Sequence, residues 1–354
     1  MNRMAKPQKN IAVIGAGIAG LACARTLLQA GHRVTVLEKA EAVGGRVTSC
    51  DTPFGSFDPG AQYFTVRDAR FEKVLALSPQ LRRPWSANAV RVLDPHGRVA
   101  EAALPSREAH WVGVPTMGAL PRHWAQPLAD AGALQLRTRV VRIERDTLDP
   151  DRWQLQTAGP DDSAHVYSSF DTVLLALPHS LALGLLRSSG LVAGLLERAE
   201  SVEVAPCWTL MLAFPHAVEP TLTHLGPQWN AALSTHHRIA WLARESSKPG
   251  RGLIERWTVQ GSAAWSDEHI DDDPERVRAK LLKGFCEVTG IRAEPTYAEV
   301  YRWRWAKTRI PLGDSHLWDR RAEIGLCGDW CLGHRVEDAF VSGLELALKA
   351  NSGR

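Results

Sequence analysis

The sequence predicts an α/β protein of two interleaved domains, one on a parallel sheet flanked by helices and one on a mainly antiparallel sheet. Three observations carry this. The chain opens with a strand–turn–helix–strand unit of about 30 residues. Residues 201–310 alternate strand-like and polar stretches instead of repeating that unit. No linker, repeat or low-complexity tract separates the halves of a 354-residue chain, a length that suits two domains of about 100–200 residues each.

The elements follow in order. Residues 10–14 (Asn-Ile-Ala-Val-Ile) read as a buried parallel strand. From Ile18 to Ala30 the spacing is helical, with Leu21, Ala24 and Leu28 on one face and Gly31 as the residue that ends the helix. Arg33 to Leu37 is a second strand, with Glu38 at its end. Gly44, Gly45 and Arg46, and then Gly55 to Gly60, read as loops or tight turns. Residues 71–127 carry prolines at 79, 84, 95, 105, 115, 121 and 127, so no long helix is placed there. Leu134 to Leu136, Val140 to Ile143 and Trp153 to Gln156 read as strands, and the turn-rich stretch 158–163 reads as a hairpin.

Thr172 to Leu177 is a buried strand closed by Pro178, and a helix follows from Ser180 to about Leu186. Cys207 to Phe214 is apolar, and Ile254 to Val259 alternates. Asp273 to Val288 is an amphipathic helix with Asp273 as N-cap and Pro274 in its first turn. Tyr297 to Trp305 is a strand, and Ile324 to Cys327 is a short last one. The final helix, Val336 to Ala350, puts Val336, Phe340, Leu344 and Ala347 on one face.

Composition excludes several classes. The chain is 45% hydrophobic and 23% charged, as a globular protein is and a disordered chain is not. A net charge of +3 carries no nucleic-acid footprint. No apolar run reaches the roughly 18 residues that span a bilayer, and the first ten residues hold no leader-like apolar core. A cytoplasmic protein that meets neither nucleic acid nor membrane is expected. The six cysteines form no Cys-x-x-Cys pair, so reduced thiols and no metal are expected. His236 and His237 have no third ligand in view and are read as a surface loop, and Glu268 to Asp273 as a solvated one.

Gly15-x-Gly17-x-x-Gly20 follows a strand and opens a helix, and Glu38 lies 18 residues beyond Gly20. Gly15 permits the tight turn, Gly17 lets the backbone approach a pyrophosphate, and Gly20 lets helix pack on strand. The helix N-terminus offers free N–H groups to phosphate. Glu38 can accept both ribose hydroxyls and would repel a 2′-phosphate. The context predicts a Rossmann-type dinucleotide-binding domain. Gly44, Gly45 and Arg46 then suit a close backbone approach and a cation for phosphate, although the spacing alone also fits a surface turn.

The run from Glu38 to Arg46 resembles the extended FAD fingerprint of the flavin amine-oxidase superfamily. Thr138 to Ile143 resembles the strand whose backbone holds adenine there, at Val140. Asp171 to Pro178 resembles the returning strand. Gly328-Asp329, with Arg335-Val336-Glu337 through Ser342-Gly343, resembles the C-terminal flavin motif. These segments span nearly the whole chain in family order. More narrowly, Phe57 to Thr65 and Tyr301 to Ala306 are similar to segments of the renalases and their bacterial relatives. Three positions depart from the pattern: Asp338 where the superfamily prefers Gly, His334 where a small residue is usual, and Trp305 in place of a Tyr.

The resemblance implies non-covalent FAD held by Gly15, Ala16, Gly17, Ile18, Ala19, Gly20, Glu38, Lys39, Gly45, Arg46, Gly60, Ala61, Gln62, Tyr63, Val140, Gly328, Asp329, Arg335 and Val336. It implies an FAD-binding domain from 1–70, 130–190 and 320–354, a substrate domain from 71–129 and 191–319, and an active site between them. Asp329 would accept from ribityl hydroxyls, or act as an ordinary cap. Gln62 and Tyr63 are candidates for the flavin face and the substrate, or a structural loop. Trp303 and Trp305 alternate with Arg302 and Arg304, so both indoles share one strand face, as a pocket wall or as a core face.

The implied activity is hydride transfer to flavin from a small reduced substrate, with oxygen as acceptor. For renalases the substrates are 2- or 6-dihydro isomers of NAD(P)H, and the products are NAD(P)⁺ and hydrogen peroxide. An amine oxidase or desaturase-type enzyme is the near alternative. A non-catalytic flavin-binding protein and a plain NAD dehydrogenase are the distant ones.

Overall fold

The structure is a computed structural model that describes residues 7–85, 91–101, 108–159, 163–218 and 229–352. The chain divides into two compact units. One contains residues 1–45, 121–204 and 308–354, and the other 46–120 and 205–307. The first change of unit falls between Gly45 and Arg46, where the sequence reading put it at residue 70.

The first unit is built on a six-stranded sheet. From one edge its strands are Leu317–Asp319, Ile324–Leu326, Thr172–Leu175, β1 (Asn10–Ile14), β2 (Arg33–Leu37) and Leu134–Gln135. All neighbours pair parallel except the edge strand Leu317–Asp319. Helix α1 (Ile18–Gln29) connects β1 to β2. The two central strands, β1 and Thr172–Leu175, are apolar beyond their first residue because both faces are covered. A three-stranded antiparallel sheet, Arg139–Arg145, Trp153–Ala158 and Ala164–Phe170, adds Trp153, Leu155 and Phe170 to the core. It contains the expected hairpin, although residues 160–162 of the turn lie outside those described.

The second unit is built on a seven-stranded sheet in the order Tyr297–Ile310, Glu203–Phe214, Glu255–Gly261, Ile239–Arg244, Ala231–Ser234, Arg91–Leu93 and Val99–Glu101. Four of its pairings run antiparallel and one parallel. Helix Pro274–Thr289 packs on one face through Val277, Leu281 and Phe285. Asp273 caps that helix as expected, accepting from the N–H groups of Glu275 and Arg276.

Three expectations are corrected. Helices Ala69–Ala76 and Ala119–Asp130 occupy parts of the proline-rich stretch. Asp68 caps the first, accepting from Arg70 N at 2.7 Å. In the second, Pro121 sits in the first turn, where no N–H is needed. Pro127 costs one bond, against the burial of Trp124, Ala125 and Leu128. The buried face of α1 uses Leu27 rather than Leu28, and the final helix Val336–Ser352 uses Leu346 rather than Leu344. His236 is buried, not on the surface. Its Nδ1 accepts from Arg238 N at 3.2 Å and its Nε2 lies 3.1 Å from Glu287. Gly284 makes the room, since a Cβ there would lie 3.3 Å from the ring.

Candidate functional site

Two of the three opening glycines of the first unit are required by backbone geometry, and the third leaves open space. Gly15 has φ +105°, and a Cβ on it would lie 2.5 Å from the Ala176 carbonyl oxygen. A Cβ on Gly20 would lie 1.9 Å from the Gly15 carbonyl oxygen, so only glycine lets α1 leave β1 so closely. A Cβ on Gly17 would meet nothing within 4 Å. The space over Gly17 is open, as a site for a bulky anion requires.

The start of α1 fits that use. Gly17 is its N-cap and supplies no side chain, and no acidic residue stands in the first turn. Ile18, Ala19 and Gly20 are buried, and the first intrahelical bond runs from Leu21 N to Gly17 O. The N–H groups of residues 18–20 therefore have no acceptor among the described residues. A buried helix start without partners is costly unless a ligand supplies the acceptor. Gly44 and Gly45, both at positive φ, bring a second turn against it, and Gly44 N donates to Ala16 O at 2.9 Å.

Glu38 closes the far side. One carboxylate oxygen accepts from Ala16 N at 2.7 Å, the other from Ala40 N at 2.9 Å. Each oxygen keeps a lone pair for a ribose hydroxyl. Lys39 lines an open groove of about 580 Å³ with Glu41, Arg137 and Arg139. Val140 stands where the ladder skips a residue, between its pairing with Thr157 and that of Arg142 with Gln156.

At the same carboxyl end of the parallel strands, after Ile324–Leu326, Gly328 N donates to Ser342 Oγ at 3.0 Å, and buried Asp329 opens a short turn. The final helix follows, with Arg335 and Val336 at its start. A Cβ on Gly343 would lie 2.0 Å from Ala19 O, so this helix crosses α1 in backbone contact. Asp338, a departure from the family pattern, has a local use: its Oδ2 accepts from Arg335 N at 2.9 Å and caps the helix. Asp338→Gly should therefore lower stability by about 1 kcal/mol, read as the urea midpoint. An unchanged midpoint would contradict the capping role.

In the second unit, the strand Tyr297–Ile310 carries the predicted tryptophans. Arg302 donates to Ile270 O at 3.1 Å and Arg304 pairs with Asp271 at 2.5 Å, so both guanidiniums leave one face. Trp303 turns to the other face, where its Nε1 donates to Pro59 O at 3.0 Å and Tyr301 stands 4.5 Å from it, centroid to centroid. Trp305 follows on that face, half-buried. Gly60 fits against this wall because it has no Cβ: one would lie 2.1 Å from Arg46 O and 3.3 Å from Trp303. Ala61 N donates to Arg46 O at 2.9 Å, and Arg46 Nη1 to Ala306 O at 3.0 Å. Arg46, Gly60, Ala61 and Trp303 are thus brought together.

Gln62 is 5% exposed and its amide is committed within the unit. Its Nε2 donates to Asp58 O and, at 3.2 Å, to Gly60 O, while its Oε1 accepts from Lys248 Nζ at 3.2 Å. Tyr63 is half-buried among rings the sequence did not connect to it. His110 lies 4.2 Å away, Trp241 5.8 Å and Trp85 6.4 Å, centroid to centroid. Burial lowers the His110 pKa, with Glu108 opposing. Beneath Gln62 lies an unforeseen cluster of Asp58, Glu245, Lys248 and Arg251, whose side chains are fully buried. Asp58 lies inside the segment Phe57 to Thr65, but nothing in one sequence ties it to residues 245–251. Among the described residues no cluster could hold a metal, all six cysteines are free, and no helix is long and apolar enough to cross a membrane.

Comparison with known proteins agrees with this geometry. Residues 13–76 match an NAD(P)-binding Rossmann-like domain, and residues 108–348 match the flavin containing amine oxidoreductase family. The L-amino-acid oxidase of Mus musculus is 53% identical over 47 residues, 13% of this chain and 7% of that one. The 4,4'-diapophytoene desaturase of Staphylococcus haemolyticus is 39% identical over 79 residues, 20% of this chain and 16% of that one. The matched stretches are thus less than a fifth of these relatives' lengths. A solved structure from Exiguobacterium sp. 255-15, provisionally assigned as a protoporphyrinogen oxidase, shares the fold with TM-score 0.76 at 14% identity, covering 98% of this chain and 100% of that one. FAD is the cofactor, and the open, uncapped helix start fits it. The family match covers more than half of the chain, which belongs to the flavin-containing amine oxidoreductases.

Proposed function

We propose that the protein takes a hydride from a small reduced substrate and returns the electrons to oxygen. We further propose that the substrate is a 2- or 6-dihydro isomer of NAD(P)H. The balance is isomer plus oxygen plus a proton, giving NAD(P)⁺ and hydrogen peroxide. The observation that carries this reading is the wall of Tyr301 and Trp303 held against Gly60 and Arg46. Loss of hydride from a dihydropyridine makes an aromatic ring, so it needs stacking and orientation more than a base.

Bound FAD supplies the two-electron acceptor. The N–H groups of Ile18 to Gly20 hold its phosphates, and Glu38 its ribose. Asp329 takes ribityl hydroxyls. The final helix directs the positive end of its dipole from Arg335 and Val336 toward negative charge. Trp303 and Trp305 orient the substrate ring, and Gln62 and Tyr63 border it.

A second reading is an amine oxidase, favoured by the rings around Tyr63, which suit a neutral amine. Aerobic turnover separates the two. Isomer-containing NADH should give NAD⁺ and hydrogen peroxide in equal amounts, and simple amines should give no aldehyde or ammonia. Aldehyde and ammonia without NAD⁺ would establish the amine reading instead. A cytoplasmic location belongs to the same proposal.

A further inference from the structure

Three side chains of the second unit meet on one ammonium group. Lys248 is 2% exposed, and its three N–H donors go to Asp58 Oδ2 at 3.0 Å, Glu245 Oε1 at 2.9 Å and Gln62 Oε1 at 3.2 Å. Arg251 completes the cluster on Asp58. Two acids and two bases balance, with no exposed side-chain surface. A buried ionic cluster of this kind adds little net stability over apolar packing. Its specific consequence here is orientation.

An ammonium only donates, and so pairs only with the carbonyl end of an amide; Lys248 therefore fixes which way Gln62 points. The NH₂ end must then face Asp58 O and Gly60 O. Gly60 O also receives Gln260 Nε2 at 2.8 Å. Pro59 O receives Thr209 Oγ1 at 2.9 Å and Trp303 Nε1 at 3.0 Å. Three consecutive carbonyls are thus held inside the unit. In a trans peptide the C=O and the next N–H point opposite ways. Holding Pro59 O therefore turns the Gly60 N–H away from Thr209 and Trp303, and it has no acceptor among the described residues.

We infer that Lys248 is a positioning residue which, acting through Gln62, sets the direction in which the Gly60 segment meets the flavin. The inference rests on the reading that Gly60 to Gln62 line the flavin.

The test is FAD titration of the full chain stripped of flavin, followed by flavin fluorescence quenching and the visible band. Gln62→Met and Lys248→Met should each weaken binding ~10-fold, and the double variant also ~10-fold rather than ~100-fold, because both act through one contact. Gln62→Glu keeps an acceptor for Lys248 but lacks the amide donors, so it should weaken binding as Gln62→Met does and shift the flavin band. Should Lys248→Met fail to fold, Gln62→Met decides, since it leaves all four charged side chains of the cluster in place. Folded Gln62 variants that bind FAD like wild type would overturn the inference, as would an additive double variant. Wild-type protein that takes up no FAD overturns the flavin reading itself, and does so before any variant is compared.

Discussion

Gly20→Val should yield colourless protein, with FAD affinity at least ~100-fold weaker than wild type. A Cβ at residue 20 would lie 1.9 Å from Gly15 O, 3.0 Å from Gly15 C and 3.2 Å from the Ala176 Cβ. Two of these atoms are backbone, so no side chain can rotate away. The start of α1 must move off β1, which would displace the N–H groups of Ile18 to Gly20 from their proposed place on the phosphates. Overpacking of this kind also costs about 1–3 kcal/mol of stability. Gly17→Ala is the informative contrast. Its methyl group would meet no protein atom within 4 Å, so stability should stay within about 1 kcal/mol of wild type while FAD affinity falls. Loss of affinity with stability retained would show that the space over Gly17 belongs to the ligand. Equal affinity in Gly17→Ala would contradict it.

The second large effect is on stability. Asp58→Ala should cost about 3–5 kcal/mol, the range for removing one member of a buried ion pair. It would leave Lys248 with Glu245 and Gln62, and Arg251 with Ser56 Oγ at 3.1 Å and a distant Glu245 contact at 3.9 Å. The same group predicts a pH dependence. Burial pushes the Asp58 carboxyl up, but the Lys248 ammonium and Arg251 guanidinium outweigh it and hold it below its ordinary value. Its folded pKa therefore lies below the unfolded value of about 3.9. Its contribution is complete above about pH 4 and is lost as pH falls through the folded pKa. Urea midpoints taken downward from pH 5 should fall less steeply in Asp58→Asn than in wild type. Parallel curves would contradict the assignment.

The parallel half was legible because its signals are local. Turn glycines, the apolar runs of β1 and Thr172–Leu175, and Glu38 at a strand end all lie within short windows. The Trp303 face was legible for the same reason, since alternation along one strand fixes which side chains share a side. The polar cluster under Gln62 was not. Asp58 and Lys248 are 190 positions apart, and their contact depends on how an antiparallel sheet brings two loops together. The helix Ala119–Asp130 was hidden by Pro121 and Pro127, whose cost is set by position within the helix and not by their presence. His236 looked like a loop residue because its burial depends on Gly284, on a distant helix.

The most direct test of the proposed chemistry is anaerobic mixing of the yellow protein with NADH enriched in its 2- and 6-dihydro isomers, followed at the flavin band. The account predicts rapid bleaching by the isomers and return of the band with air. A band that stays oxidised with both isomers, but bleaches with a simple amine, would contradict it.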